Sequence, residues 1–356
     1  MSTTAKRKIN GRKAFIAATA VAAAAGAITL PVQGAAAAET GAPTCEMTTL
    51  PIPDGQLFTF TTGMSDDGSA VVYRGYPTDG GYERFPMMYI FGEAHAVPIP
   101  GEDQEVSDVN STGFGSGSTY IDGRVLPYIV QEGKVAQLSW EDGGEANGVN
   151  EQGDVVGARG QYPQVPVFAP GFEGTVIDLP LPEGAGSGSA SEINDEGVIV
   201  GYYEDAEGDF VPYWWDADLN GAPLPMPEGV DPDEAHAYAS DIQGDWASGF
   251  LSAPGLDAVG VVWNLAEGTA HVTDLEGRAT VNAKGTVAGD LYPSAAFQTF
   301  GGEVVTLPGV AEPSDDHFGD QADQISADGT TIAGSVYVGR DENDRHLLNA
   351  VVWTCE

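Results

Sequence analysis

Arginine side chains are scarce in this sequence, and most of them recur at equivalent places. Only seven arginines follow residue 38, and six lie near tyrosines in links between the second and third predicted strands of a repeat. Arginine offers planar, charge-assisted donors and tyrosine a flat amphipathic face, and both are enriched at binding hot spots. We therefore predict a recognition surface, here called the arginine–tyrosine set, made of Arg74, Arg84, Arg124, Arg159, Arg340, Arg345, Tyr73, Tyr76, Tyr82, Tyr120, Tyr162 and Tyr337.

The chemistry that this set predicts is recognition of a carboxylate- or phosphate-bearing glycan, or of a protein partner. The alternative interpretation is that the arginines only neutralise nearby acids, since 53 Asp and Glu stand against 14 Lys and Arg. The resulting formal charge of −39 repels phosphate backbones and anionic lipid headgroups. We therefore expect no nucleic-acid partner.

Two acidic segments contain candidate calcium ligands. Asp231 and Asp233 lie in one of them, and Asp315 and Asp316 lie in the other. Clustered carboxylates suit a hard cation, but neither segment has EF-hand spacing, and solvated surface acid is the alternative interpretation. We expect no cofactor other than such a calcium ion.

The sequence has no recognisable catalytic motif. None of its five histidines lies in a motif with a partner, and Gly-x-Ser-x-Gly, His-Glu-x-x-His and phosphate-binding loops are missing. With 53 acids, some pair of carboxylates at the separation used in glycoside hydrolysis is inevitable and therefore uninformative. We leave catalytic residues unassigned.

The first 38 residues have the pattern of a secretory signal peptide. Five cations precede an unbroken apolar run over residues 14–30, and the alanines at 36–38 offer a small-residue cleavage site. We expect the mature chain to begin at Glu39 and to form one domain over residues 39–356. It would be secreted, extracellular, monomeric and not inserted in a membrane.

A turn motif recurs seven times and predicts the fold. Each copy has a β-branched residue or Met, then Asn or Ser (Gln in the degenerate fifth copy), and a glycine that ends the turn, and these glycines lie 40 to 47 residues apart. The amide or hydroxyl side chain starts a turn, and glycine accepts positive φ. An apolar strand, an aromatic strand and a proline-bounded segment such as 97–100 or 179–182 follow; we interpret that segment as an edge strand. The period predicts an all-β, seven-bladed β-propeller of four-stranded antiparallel blades.

The two ends of the chain are predicted to complete one blade together. The seventh copy ends without its proline-bounded segment, and residues 50–53 provide one that belongs to no other copy. The last blade would therefore be closed by the N-terminal strand, which makes the copies that contain the arginine–tyrosine set neighbours. Cys45 and Cys355 then fall at the same turn, which predicts a disulfide; free thiols or metal ligands are the alternative.

Segments 147–157 and 191–201 resemble the extracellular HAF-type repeat, although the His-Ala-Phe that names it is missing. The resemblance extends over nearly the whole mature chain and implies an extracellular repeat protein without a particular activity. We predict a secreted binding or interaction module that recognises an extracellular glycan or protein through one loop face. A polysaccharide hydrolase or lyase is the alternative, and a purely structural envelope protein is the third possibility.

Overall fold

The computed structural model describes residues 43–131, 133–140, 142–171, 175–310 and 319–356. The predicted signal peptide therefore lies outside the described residues. The described part is all-β, and its only helix is the 3₁₀ turn Pro232–Glu234. No helix among these residues has the length and apolar character needed to cross a bilayer.

Twenty-seven strands make up the described chain. They are β1 (Cys45–Thr49), β2 (Gln56–Met64), β3 (Ala70–Pro77), β4 (Phe85–Ile90), β5 (Glu93–Ala96), β6 (Glu102–Val109), β7 (Gly115–Ile121), β8 (Arg124–Gln131), β9 (Lys134–Gln137), β10 (Gly144–Val149), β11 (Val155–Arg159), β12 (Val165–Ala169), β13 (Ile177–Asp178), β14 (Ser187–Ile193), β15 (Ile199–Glu204), β16 (Phe210–Trp215), β17 (Gly221–Pro223), β18 (His236–Gln243), β19 (Trp246–Ala253), β20 (Leu256–Asn264), β21 (Thr269–Val281), β22 (Val287–Leu291), β23 (Ser294–Gln298), β24 (Val304–Thr306), β25 (Gln321–Ile325), β26 (Thr331–Arg340) and β27 (His346–Cys355).

The strands form antiparallel sheets in chain order. Four of the sheets are β2–β5, β6–β9, β10–β13 and β14–β17, and a fifth has the order β1-β27-β26-β25. The strands from β18 to β24 form one seven-stranded sheet, in which β21 pairs with β20 near its start and with β22 near its end. The 13-residue β21 thus serves two strand groups.

The innermost strand of each group contacts its neighbours in a closed cycle. The contacts run from β2 to β6, β10, β14, β18, β21 and β25, and β25 contacts β2. The apolar core lies between successive sheets, where for example Val72, Val106 and Tyr128 pack together. Sheets repeated in this way form a β-propeller-like fold.

The chain ends meet as predicted, and a disulfide joins them. Strand β1 pairs with β27 so that Cys45 lies opposite Cys355, and their sulfurs are bonded. The predicted position of the N-terminal strand is wrong by a few residues, because the strand is Cys45–Thr49 and residues 50–53 follow it. Cys45 is therefore inside the edge strand rather than in the turn before it.

The other proline-bounded segments also follow their outer strands instead of forming them. Buried Leu179 donates its backbone N–H to the Pro166 carbonyl, which fixes the chain as it leaves the sheet. The next proline carbonyl accepts from an indole of the following sheet at 2.8 Å: Trp215 donates to Pro180, Trp263 to Pro225 and Trp353 to Pro308. These segments therefore connect neighbouring sheets.

The asparagine of the turn motif also connects neighbouring sheets. Asn150 Oδ1 accepts from the backbone N–H groups of Gln152 and Asp154 at 3.1 and 2.9 Å, which makes the predicted turn. Its Nδ2 donates to the Asn194 carbonyl of the next sheet at 3.3 Å. Asn110 donates to the Asn150 carbonyl in the same way, at 3.1 Å.

Replacing Asn150 with alanine is expected to lower the free energy of unfolding by about 2 to 3 kcal/mol. The variant loses four side-chain hydrogen bonds at a buried position, the fourth being from Nδ2 to an Asp154 carboxylate oxygen at 3.3 Å, at roughly 0.5 to 0.75 kcal/mol for each. Urea unfolding measures the change, with Gln152→Ala as the control because that side chain is exposed. Equal stability of the two variants would show that the motif asparagine is not a connection between sheets.

Candidate functional site

A cleft of about 630 Å³ opens among the first three sheets on the side of the arginine–tyrosine set. Strands β6 and β10, which are innermost in their sheets, form its walls together with β3, β7 and the β3–β4 link. Its lining residues are Arg74, Tyr82, Glu102, Asp103, Glu105, Ser107, Ser118, Thr119, Tyr120, Val125, Glu145 and Asn147. Its volume is that of a small-ligand site.

The guanidinium of the cleft is already paired. Arg74 Nη1 lies 2.6 Å from Glu105 Oε2 and 3.7 Å from Asp103 Oδ1. Nearby Arg84 lies 3.3 Å from Asp103 through its Nε, and its guanidinium stacks over the Tyr76 ring at 4.4 Å. The charge of each arginine is therefore already offset by an acid.

Glu145 sits in a different environment from Glu105. Burial, and then the charge of Glu105, raise the pKa of Glu145. Burial also raises the pKa of Tyr202, and the charge of Glu145 is the next largest cause, so Tyr202 lies near Glu145. Tyr202 is itself stacked on Phe210 with ring centroids 4.5 Å apart. In the cleft, Glu105 is therefore held by an arginine, whereas Glu145 is neutralised more easily.

Two tyrosines line the cleft and are exposed. Tyr82 in the β3–β4 link is 73% exposed, and Tyr120 near the end of β7 is 44% exposed. Ser107, Ser118 and Asn147 add hydroxyl and amide groups along the walls. Flat aromatic faces and short polar groups in one cleft suit a ring that carries several hydroxyls.

The other members of the arginine–tyrosine set are paired outside the cleft. The remaining distances from guanidinium nitrogen to carboxylate oxygen are 3.9 Å for Arg124–Asp142, 2.7 Å for Arg159–Asp178, 3.0 Å for Arg340–Asp344 and 2.8 Å for Arg345–Asp341. With Arg74 and Arg84, all six arginines of the set have an acidic partner. This finding favours the interpretation that they neutralise nearby acids.

The tyrosines of the set divide by burial. Tyr73 and Tyr337 are buried inside strands β3 and β26, and Tyr73 donates its hydroxyl to the Pro51 carbonyl at 2.9 Å. These two residues therefore do not belong to a recognition surface. Tyr76 stacks on Phe58 at 4.5 Å, and exposed Tyr162 donates to Glu204 at 3.0 Å. The cleft contains only Arg74, Tyr82 and Tyr120 of the set.

The acids that line the cleft were not predicted from the sequence. Glu105 and Glu145 each lie four residues before the first residue of a turn motif, at Val109 and Val149. An alignment of the copies places both at one level of the innermost strands. This shared position relative to the turn motif is the sequence feature that could have distinguished the two residues from the other acids among the 53.

A second cluster of carboxylates lies where the innermost strands end. Asp66, Asp108, Glu192 and Asp241 line a narrow cavity of about 20 Å³. Asp108 accepts from the Val149 N–H of the next sheet at 2.8 Å, and Asp241 accepts from the Thr280 hydroxyl and from the Val281 N–H. Three of these acids occupy the position directly before a turn motif.

Burial governs the protonation of this second cluster. Desolvation, followed by the charge of Asp241, raises the pKa of Asp66 to about 7. The pKa values of Asp108, Glu192 and Asp241 are also raised, chiefly by burial, and the first two are raised further by the other acids. The raised pKa values favour the neutral forms of these four acids, which reduces the repulsion among them.

The candidate calcium ligands do not form a site in the described residues. Asp231 caps the 3₁₀ turn by accepting from the Asp233 N–H at 3.1 Å. Asp315 and Asp316 lie outside the described residues. Across residues 43–310 and 319–356, apart from the short gaps, no three His, Cys, Asp or Glu side chains are arranged to hold a metal ion.

Comparisons with known proteins support the fold alone. No protein-family model and no curated protein sequence matches the chain. A chain of the mitotic checkpoint complex is similar with a TM-score of 0.51 at 12% identity, over 94% of this chain and 98% of that one. One of two prolyl endopeptidases gives 0.50 at 11% identity, over 87% of this chain and 47% of the peptidase. TolB from Acinetobacter baumannii gives 0.44 at 12% identity, over 82% and 77%.

Proposed function

We propose that the protein is a secreted, extracellular binding module that recognises a glycan through the cleft among its first three sheets. The cleft carries this proposal because it combines two exposed tyrosine faces with carboxylate, hydroxyl and amide groups in about 630 Å³. The Cys45–Cys355 disulfide supports secretion, since such bonds persist in oxidising compartments. A protein partner at the same face is the other outcome that the experiments below distinguish.

The scaffold that we propose is a seven-bladed propeller built from HAF-type repeats. The seven copies of the turn motif and the cycle of seven innermost strands support this count. On this interpretation the seven-stranded sheet is two blades, and β21 is the outer strand of one and the inner strand of the next. The β1–β27 pairing would then close the seventh blade.

Replacing Tyr120 with alanine is expected to weaken glycan binding about tenfold. Removing a stacked aromatic face costs roughly 1 to 1.5 kcal/mol, and 1.4 kcal/mol is a factor of ten in affinity. A glycan array identifies ligands of the intact protein, and calorimetry then compares the variants. Tyr292→Ala is the control, since Tyr292 is 52% exposed and does not line the cleft.

Two results would contradict this proposal. One is an equal loss of affinity in Tyr120→Ala and Tyr292→Ala, which would place the ligand elsewhere. The other is an array on which the folded protein binds no glycan. In the second case, capture of an extracellular protein that Tyr120→Ala abolishes would assign the face to a protein partner.

A polysaccharide hydrolase is a second candidate, favoured by Glu105 and Glu145 in the same cleft. Glycosidases use two carboxyl groups, of which one remains protonated as the general acid, and a raised pKa suits Glu145 to that role. Incubating each array ligand with the protein and measuring released reducing ends tests this function. Binding without product supports the module, and product that Glu145→Gln abolishes supports the enzyme.

A further inference from the structure

The charge of the cleft restricts its ligand. Glu102, Asp103, Glu105 and Glu145 line it together with a single guanidinium, that of Arg74, and Arg84 pairs with Asp103 from outside the lining. That guanidinium is held by Glu105 at 2.6 Å and by Asp103 at 3.7 Å. Glu102 and Glu145 form no ion pair within the described residues. The cleft therefore carries an unbalanced negative charge.

An anionic ligand would meet repulsion in this cleft from every direction. The four carboxylates lie beside it, and the whole chain carries a formal charge of −39. A ligand carboxylate or phosphate would have to share the Arg74 guanidinium with Glu105 and Asp103, which already offset its charge. The carboxylate- or phosphate-bearing ligand expected from the arginines is thus disfavoured by their pairing.

A cationic group, by contrast, would find two kinds of partner. Tyr82 and Tyr120 offer the negative faces of their rings, which attract ammonium groups within about 6 Å of the ring centroid. Glu145 offers a carboxylate that burial makes costly to ionise alone, so an adjacent ammonium favours its charged form. The same tyrosine faces stack on sugar rings.

We infer that the cleft binds a glycan with free, protonated amino groups, such as a deacetylated hexosamine polymer. This inference rests on the proposed function and narrows it to one class of glycan. The amine would lie between Glu145 and the tyrosines, and the ring hydroxyls would reach Ser107, Ser118 and Asn147. A binding site of this kind selects by charge, so removing or masking the amine weakens binding.

The test compares two oligosaccharides of equal length that differ only in the acetylation of their amines, and adds an anionic oligosaccharide as a third ligand. Calorimetry on the intact protein measures binding of deacetylated chitooligosaccharide, of its fully N-acetylated form and of oligogalacturonate, at a pH where the amines are protonated. We expect the deacetylated form to bind at least about tenfold more tightly than the acetylated one, and oligogalacturonate not to bind. Added salt should weaken the first interaction.

Charge variants of the cleft provide the second arm. Glu145→Gln keeps the shape of the side chain and should weaken binding of the deacetylated form about tenfold while leaving any binding of the acetylated form unchanged. Glu102→Gln should act in the same direction, and it serves if Glu145→Gln alters folding. Glu267→Gln, in an exposed turn between β20 and β21, is the matched control and should change nothing.

The outcomes separate this inference from the proposed function. Equal affinity for both chitooligosaccharides, or tighter binding of oligogalacturonate, overturns the charge inference and leaves a glycan-binding cleft. The charge inference is also overturned if Glu267→Gln weakens binding of the deacetylated form as much as Glu145→Gln does. The attraction would then come from the overall negative charge of the protein and not from the cleft. If no glycan binds and a lysine-rich peptide does, both proposals are overturned in favour of a protein partner.

Discussion

The Cys45→Ala, Cys355→Ala double variant is expected to lose roughly 4 to 5 kcal/mol of unfolding free energy. The disulfide joins residues that are 310 positions apart, so it removes a large share of the conformational freedom of the unfolded chain. A loss of that size is a large fraction of the stability of an ordinary domain. Urea unfolding of the oxidised protein and of the variant measures the difference.

Two controls determine what the bond contributes. The wild-type protein unfolded under reducing conditions should match the double variant, because the paired strands β1 and β27 are otherwise unchanged. Asn349→Ala in β27 is a substitution outside the bond and should leave the effect of reductant intact. A double variant within about 1 kcal/mol of wild type would contradict the prediction, and backbone pairing would then be sufficient to close the ring.

Stability is expected to fall by several kcal/mol between about pH 4 and about pH 7. A carboxyl group whose pKa is raised on folding keeps a proton that the unfolded chain releases. Its contribution is therefore greatest at low pH and is lost as the pH rises from the unfolded value through the folded one. For Asp66 this window runs from 3.8 to about 7. At 1.36 kcal/mol per pKa unit, Asp66 alone accounts for on the order of 4 kcal/mol.

Other acids set the lower limit of the stable range. Pairing with Arg159 lowers the pKa of Asp178, and backbone hydrogen bonds lower that of Asp341. The stabilisation from these two carboxylates is lost as the pH falls from their unfolded pKa values toward their lower folded ones. This pH dependence is opposite in sign to that of Asp66. We therefore expect maximum stability on the acidic side of neutrality. Urea unfolding across the pH range measures this profile.

The variant Asp66→Asn separates the buried cluster from general surface charge. It removes the titrating group, so the variant should be more stable than wild type at about pH 8 and should show a shallower decline with pH. Asp257→Asn removes an equal charge at an exposed position and should leave the decline unchanged. Identical profiles for Asp66→Asn and wild type would show that the cluster does not hold protons.

Sequence periodicity predicted the sheets because each strand group repeats a local signal. Glycines such as Gly153 do adopt positive φ after their asparagines, and the two cysteines do meet. Contacts between neighbouring sheets were not predictable in this way. The edge strand was predicted a few residues too far along the chain, at residues 50–53, because Leu50 and the prolines beside it have the pattern of an edge strand. In the structure, β1 ends at Thr49, and the N–H of buried Leu50 donates to the Ala350 carbonyl of β27.

The acids of the innermost strands escaped prediction for a second reason. Each of these strands contains a bulge before the turn motif, for example between Val106 and Asp108 and between Ala190 and Glu192. A bulge adds one residue and reverses the alternation of faces that a regular strand follows. Glu105 lines the cleft and Asp108 lines the narrow cavity. Because the bulge lies between them, simple alternation along the strand does not predict the face on which Asp108 lies. Which acids pair with the arginines also depends on the strand register that these bulges set.

The direction of the asparagine hydrogen bonds between copies affects how easily a new copy could be added by duplication. Asn110 donates to the third sheet, Asn150 to the fourth and Asn194 to the strand group that begins with β18, so the third and fourth copies each donate to the next copy and accept from the previous one. A tandem duplication of one copy would thus insert a unit that fits both neighbours without any compensating substitution. The fifth copy departs from this rule, since Gln243 reaches past the adjoining copy to the Ile325 carbonyl at 3.0 Å. A newly duplicated unit would be tolerated less readily at that point than elsewhere in the array.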